Sequence, residues 1–551
     1  MAAKNSSTAR AVASSPIPRQ AWLLIAVAVG GSSGVLHHGL RSAPAAPAST
    51  GVVQGGPFDR VVYHVQTHEA LAVPGVFREG DLTFSARLIQ FNDVTRMAWT
   101  TTPCTVHDQA AAANGNAATA DFNRRIIHLS AGVHLELRTP GRPTNVSADC
   151  PTLEYHADDR AVTCQGGVHL TLRTRDKEDH PVEATVTAPT LAYQSGPGAM
   201  QCSGGVSLAL TNPDSAATKL FVSCPALQYE SGSGTIQCSG GVDLTSQTRD
   251  SDGRPQTAAV RSQMLQYDST TEKMYCSGGV NLTLRTMGTD GQPGTIKVAS
   301  PELQYTSSTG EMECTGGTRY SLDATRKDEG PVHLDMAGPT LHYNSKSGEL
   351  HCEGPVTGDI RGISGIAAES VPVIGIEPGG SPRTAPAPIK SSGPIHVKTA
   401  DMTYNESTRV LIATKNVDLT QAGTEVQCDL LILDDKQHTL TMSGRFRYSD
   451  SQGKKFTGSQ AVEHIDKRRV DVSGPVSYSD DQGNSVRSAA AKMQRAIDGS
   501  RTVTFSKNVD LKDKEGNHVS TSFLTIETDP KGNQRSIRTG PLNGRGTAKD
   551  G

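Results

Sequence analysis

Met274-Tyr-Cys-Ser-Gly-Gly-Val-Asn-Leu-Thr-Leu-Arg-Thr286 is one of a series of near-copies along the first two thirds of the chain. Cys164, Cys202, Cys238, Cys276, Cys314 and Cys352 open the copies at spacings of 38, 36, 38, 38 and 38 residues. A second marker, Leu-x-Tyr, precedes each: Leu153/Tyr155, Leu191/Tyr193, Leu227/Tyr229, Leu265/Tyr267, Leu303/Tyr305 and Leu341/Tyr343. Self-similarity at such a period marks a stacked array, in which each unit buries an apolar face against its neighbours.

The copies read as strands. Apolar residues alternate in Val168-x-Leu170-x-Leu172, Val206-x-Leu208-x-Leu210 and Val280-x-Leu282-x-Leu284, with His, Ser, Asn or Thr between most of them. Period two with one apolar face is the pattern of a half-buried β-strand. Turn residues such as Asp158-Asp159 and Ser308-Thr-Gly310 separate the two markers, so each period holds a hairpin followed by a looser polar loop. The pattern also selects a register. If Leu303 faces Cys314, Tyr305 faces Met312 and Pro301 faces Gly316; a one-residue slip sends the tyrosine to the wrong face.

Proline removes a ladder donor and glycine weakens a strand, so their meeting in mid-strand marks a bend or bulge. The expected fold is therefore all-β: creased antiparallel hairpins stacked in a repetitive array, with one continuous apolar inner face.

The whole chain fits that class. Its 551 residues are 35% hydrophobic and only 4% aromatic, with 55 Gly and 30 Pro, and a net charge of −3 gives no global basic field for nucleic acid. Residues 1–20 are a polar tail carrying Lys4, Arg10 and Arg19, and 21–40 read as an export signal or a retained membrane anchor. Residues 41–57 are an Ala/Pro/Gly/Ser linker. The main β repeat domain spans 58–361, a Gly/Pro-rich linker 362–393, a second and less regular β domain 394–529, and a polar tail 530–551.

Motifs of the form Leu-x-Tyr, turn, apolar-x-x-Gly-x-Val-x-Leu, centred on Tyr155, Tyr193, Tyr229, Tyr267, Tyr305 and Tyr343 and joined by Ala188-x-x-Leu191-x-Tyr193 in one copy, resemble the OstA-type domain of the periplasmic lipopolysaccharide-transport proteins (LptA/LptC type). Thr399-Ala-Asp-Met-Thr-Tyr404 is a looser match, and the resemblance covers roughly 80–535. It implies an elongated antiparallel jelly roll whose interior holds the acyl chains of lipopolysaccharide or a similar glycolipid. It further implies end-to-end stacking into a bridge, with an inner-membrane ATP-driven transporter and an outer-membrane assembly protein as partners. The chain departs from the pattern in its many repeats, its cysteine in almost every one, and its long internal linker. On this reading the protein works in the periplasm, free or tethered to the inner membrane, and Leu191, Tyr193, Val206, Leu208, Leu227, Val242, Leu265, Val280, Leu282 and Leu303 line the lipid groove. The alternative is a structural or adhesive extracytoplasmic solenoid filled by its own side chains.

Catalytic, cofactor and metal motifs are not expected to contribute. The Gly-x-Ser-x-Gly match at Gly30–Gly34 sits inside the N-terminal apolar segment rather than at a strand–turn–helix elbow. The ten cysteines show no Cys-x-x-Cys spacing. Equivalent cysteines two strands apart, roughly 10 Å, exceed the reach of a disulfide and are expected to be small buried hydrophobes. Cys150 and Cys224 each fall fourteen residues before a repeat cysteine; counted in steps of two, Cys150 and Cys164 land on opposite faces, which argues against a bond between them. Arg138, Arg173 and Arg285 point outward, as a basic row for phosphates or as a solvated strand face.

Overall fold

The computed structural model describes residues 54–545 except 81, 109–110, 139–144, 176–180, 195–197, 213–214, 231–232, 250–253, 269, 288–291, 307, 327–329, 345–346, 362–393, 406–407, 422, 452, 497 and 531–533. The N-terminal apolar segment and the 362–393 linker therefore lie outside the described residues. Every described regular element is a β-strand, and the pairings are antiparallel. Two compact units result, one of residues up to 286 with 299–312, the other of 287–298 with 313 onward.

In the first unit nine long strands follow one another in chain order: Ile126–Arg138, Asn145–His156, Ala161–Arg175, Pro181–Gln194, Ala199–Asn212, Ser215–Glu230, Thr235–Arg249, Pro255–Asp268 and Lys273–Met287. Their register is set by the apolar markers. Leu153 lies opposite Cys164 and Tyr155 opposite Val162. Leu191 meets Cys202, and Tyr193 meets Met200; Leu227, Cys238, Tyr229 and Ile236 repeat the arrangement, as do Leu265, Cys276, Tyr267 and Met274.

Every one of these ladders slips at the same place. Thr152 pairs with Gln165 and Asp149 with His169, so two residues on one strand oppose three on the other. The longer side contains the glycine pair, with φ +90° and +102° at Gly166-Gly167 and +90° and +104° at Gly204-Gly205. Both dihedrals are cheap only for glycine. A Cβ on Gly204 would lie 2.8 Å from Cγ of Pro189, so the proline ring occupies the space a side chain would need.

This bulge changes the parity of the proline-bearing strand. Leu153 and Tyr155 face inward before it, Cys150 and Ala148 after it, and all four are buried. The expectation from steps of two is therefore corrected at Cys150. Cys150 and Cys164 lie on the same inner face, because the crease takes up one residue between them.

At its N-terminal edge the array divides. The first half of Ile126–Arg138 pairs with Ala117–Asp121, the second half with Ala111–Gly115. From there two ladders of short strands diverge. One continues through Met97–Thr100, Ile89–Asn92, Glu69–Val73 and Arg60–His64. The other runs through Cys104–His107, Leu82–Ala86, Gly75–Glu79 and Gln54–Gly55. They face each other: Phe77 of one ladder stacks 5.4 Å from Phe91 of the other, and a Cβ on Gly75 would lie 2.5 Å from the Ile89 side chain. Each creased strand thus contributes its two halves to two opposed layers, with the apolar face between them.

The second unit uses the same device with fewer glycines. Ten strands from Glu349–Arg361 to His518–Thr528 pair in chain order, and Leu350 and Cys352 face Tyr404 and Met402 of Ile395–Asn405. Positive φ recurs at the bulges, in Lys415-Asn416 (67° and 60°), Gly444-Arg445 (72° and 47°) and Lys507-Asn508 (64° and 57°). The final long strand divides again, toward Gln534–Thr539 and Asn543–Arg545.

Candidate functional site: the apolar interior

The inner face of the first unit is built by pairing a motif strand with a smaller-residue strand. Leu208 and Leu210 face Val186 and Ala184 on one side, and Val222 and Leu220 on the other. Leu282 and Leu284 face Val260 and Ala258. Large beside small lets the layers interdigitate, which is how interiors reach close packing.

The expected groove residues occupy this face. Leu191, Val206, Leu208, Leu227, Val242, Leu265, Val280, Leu282 and Leu303 are between 0 and 9% exposed; Tyr193 is half-buried. The alternating outward residues Ser207 and Asn281 are exposed, and Thr283 half-buried. The small inward residues of the intervening strands, Ala148, Ala184, Val186, Ala258 and Val260, carry no repeated marker. Their own alternation, as in Val182-x-Ala184-x-Val186-x-Ala188, was the available signal.

Many inner residues are almost fully buried, Leu191, Val206, Leu265 and Leu303 among them. Toward the N-terminal edge a cavity of about 20 Å³ is bounded by Leu82, Val106 and Leu135 of one layer and Leu129, Leu153 and Tyr155 of the other. That is room for about one water molecule. Beside it the Tyr155 hydroxyl donates to Oδ2 of Asp108 at 2.9 Å, and Asp108 Oδ1 accepts from the Ala111 amide at 2.7 Å.

Polar atoms sit at the margins of the apolar strip. The phenol oxygens of Tyr229 and Tyr267, one repeat apart, are buried with no hydrogen-bond partner among the described residues, and so is Oγ of Ser246. Burial pushes both tyrosine pKa values up. Leaving such a group unpaired costs about 1–3 kcal/mol.

The cysteines are part of the same face. All ten are buried, and none is in a disulfide. Burial pushes Cys202 up to about 11 and Cys352 up to about 12, which keeps both thiols neutral. Among the described residues no group of three or more His, Cys, Asp and Glu is placed to hold a metal ion.

Outside, charges cancel rather than align. Arg173 donates to Glu183 at 3.0 Å and Arg261 to Asp243 at 2.7 Å. Arg285 is exposed, while the Arg138 side chain lies outside the described residues. Among the described residues no helix is long and apolar enough to cross a membrane. No protein-family model and no curated protein matches this chain.

Proposed function

We propose that this chain is an OstA-like periplasmic bridge protein, an elongated jelly roll that carries lipopolysaccharide or a similar acylated glycolipid toward the outer membrane. The observation that supports this reading is the inner face itself: repeat after repeat of buried Val, Leu, Met and Cys, with one tyrosine recurring in most repeats. Aliphatic contact is non-directional, so a chain held there meets the same surface at each repeat.

On this reading a lipid enters by parting the layers about the bulge. Parting exchanges protein–protein for protein–lipid contact at similar cost per area. The net gain is then the lipid's own escape from water, ~0.8 kcal/mol per methylene, or roughly 10 kcal/mol for a twelve-carbon chain. Tyr229 and Tyr267 would donate to the lipid's ester or amide carbonyls. An ATP-driven transporter in the inner membrane supplies the work and an outer-membrane assembly protein receives the lipid. Among the described residues the strand Arg60–His64 pairs only with Glu69–Val73, and on this reading its other edge takes up a further strand.

A second reading, a structural or adhesive array without ligand, draws on the near-zero exposure of the inner residues and the water-sized cavity. Photo-crosslinking probes at Leu208 and Leu282, against probes at Ser207 and Thr283, in cells that make lipopolysaccharide separate the two. Lipid adducts from the first pair alone support carriage; adducts from neither pair leave the structural array.

A further inference from the structure

The position just before the crease is always small: Cys150, Ala188, Cys224, Ser262, Ser300 and Gly338 each lie fourteen residues before the repeat cysteine of the next strand. After the parity change at the bulge this position faces inward beside that cysteine. Ser262 and Ser300 show what it does with a polar atom. Each hydroxyl donates to the carbonyl two residues on, at 3.0 Å to Met264 and 2.8 Å to Glu302. Only two repeats place a second thiol there. The Cys150 and Cys164 side chains contact each other directly, and so do Cys224 and Cys238. In the second unit Cys428 occupies the equivalent site, but Leu431 pairs with Met442 where a repeat cysteine would stand.

We propose that Cys150–Cys164 and Cys224–Cys238 are two disulfide sites, each closing the crease between neighbouring strands of the first unit. The reaction is thiol–disulfide exchange with a small-molecule or protein disulfide. One thiolate attacks the reagent, releasing one thiol and forming a mixed disulfide. The second cysteine loses its proton, displaces the other half of the reagent, and completes the internal bond. Two electrons pass to the reagent, and two protons leave the chain.

The two thiols of each pair titrate as a coupled pair. A hydrogen bond from Cys164 lowers the pKa of Cys150, while Cys164 itself is raised; Cys224 is lowered by Cys238 in the same way. Each bond ties the two strands beside the glycine bulge, where the ladder has lost its regular hydrogen bonds. The inference is independent of any lipid.

The test is a disulfide map of the purified full chain. Reduced protein is incubated with glutathione disulfide at mildly alkaline pH, both natively and during refolding from urea, then blocked with maleimide and cut with trypsin. The expected result is a covalent link between the peptides Thr139–Arg160 and Ala161–Arg173, and loss of two hydrogens within the single peptide Leu220–Arg249, which holds both Cys224 and Cys238. Six of the ten cysteines then remain alkylated. Cys150→Ser should remove the first link and leave the second, and Cys224→Ser the reverse, with serine tolerated as at Ser262. Ten alkylated cysteines in both arms, or links that scramble among other cysteines, would overturn the proposal.

Discussion

The crease predicts an asymmetry between two adjacent glycines. Gly204 and Gly205 both hold positive φ, +90° and +104°. A Cβ on Gly204 would lie 2.8, 3.0 and 3.4 Å from three atoms of the Pro189 ring, whereas a Cβ on Gly205 meets nothing within 4 Å. Gly205→Ala therefore tests backbone strain alone. That strain costs roughly 1–3 kcal/mol, offset by about 0.4–1 kcal/mol from a less flexible unfolded chain, for a net loss of about 1–2 kcal/mol. Gly204→Ala carries the same strain plus overpacking against a rigid ring, roughly 1–3 kcal/mol more. At ~2–4 °C per kcal/mol for a body of this size, the first variant should melt ~2–8 °C below wild type and the second clearly lower. With two units the melt need not be two-state, so calorimetry is paired with hydrogen exchange read on peptides covering 181–212. Adding Pro189→Ala should recover part of the Gly204→Ala loss and none of the Gly205→Ala loss. Equal destabilisation by the two alanines, or no rescue, would refute the account of the crease.

Three further outcomes follow from the same geometry. Leu282→Ala should cost about 2–5 kcal/mol by urea titration, while Thr283→Ala, one residue on and outward, should stay within about 0.5 kcal/mol; similar losses would mean the inner face is misassigned. Tyr229→Phe and Tyr267→Phe should leave the lipid-free protein as stable as wild type or up to about 2 kcal/mol more stable, because each removes an unpaired buried hydroxyl. Tyr155→Phe, which removes a hydrogen bond to Asp108, should destabilise instead. His333 lies between Asp323 and Asp335, which raise its pKa above the ordinary 6.5. A raised folded-state value means the imidazolium contributes fully below 6.5 and is lost as pH rises through the folded value. The melting-temperature gap between wild type and His333→Gln should thus be widest at mildly acidic pH and close on the alkaline side; a pH-independent gap would remove the assignment.

Much of this was legible because period two leaves little freedom. Once Val206-x-Leu208-x-Leu210 must face one way, Leu191 and Tyr193 can meet Cys202 and Met200 in one register only, and the ladder has that register. The meeting of Pro and Gly-Gly located the crease for the same local reason. The N-terminal strands were harder. Met97–Thr100, Cys104–His107 and Ala111–Gly115 are four or five residues long, too short to show a period, and their alternation between two layers follows from the divided edge strand, not from their own residues. In the second unit Lys415-Asn416 and Lys507-Asn508 replace Gly-Gly. Asparagine enters the left-handed region more readily than most residues, so the bulge persisted while its signature faded.

The cysteines show where counting fails and why. Steps of two are valid only along an unbroken ladder. Composition locates the bulge, but a count that runs straight through it sets Cys150 on the outer face. A bulge has two consequences that cannot be separated: it bends the strand, and it adds unpaired residues. The bend sends the halves of each strand into two layers. The added residues bring the position before the proline round to the inside, next to the following cysteine. Any repeat protein built on this crease must therefore keep that position small and buried, as Ala188, Ser262 and Ser300 are in this chain, and a second thiol placed there meets the first without any further adjustment of the chain.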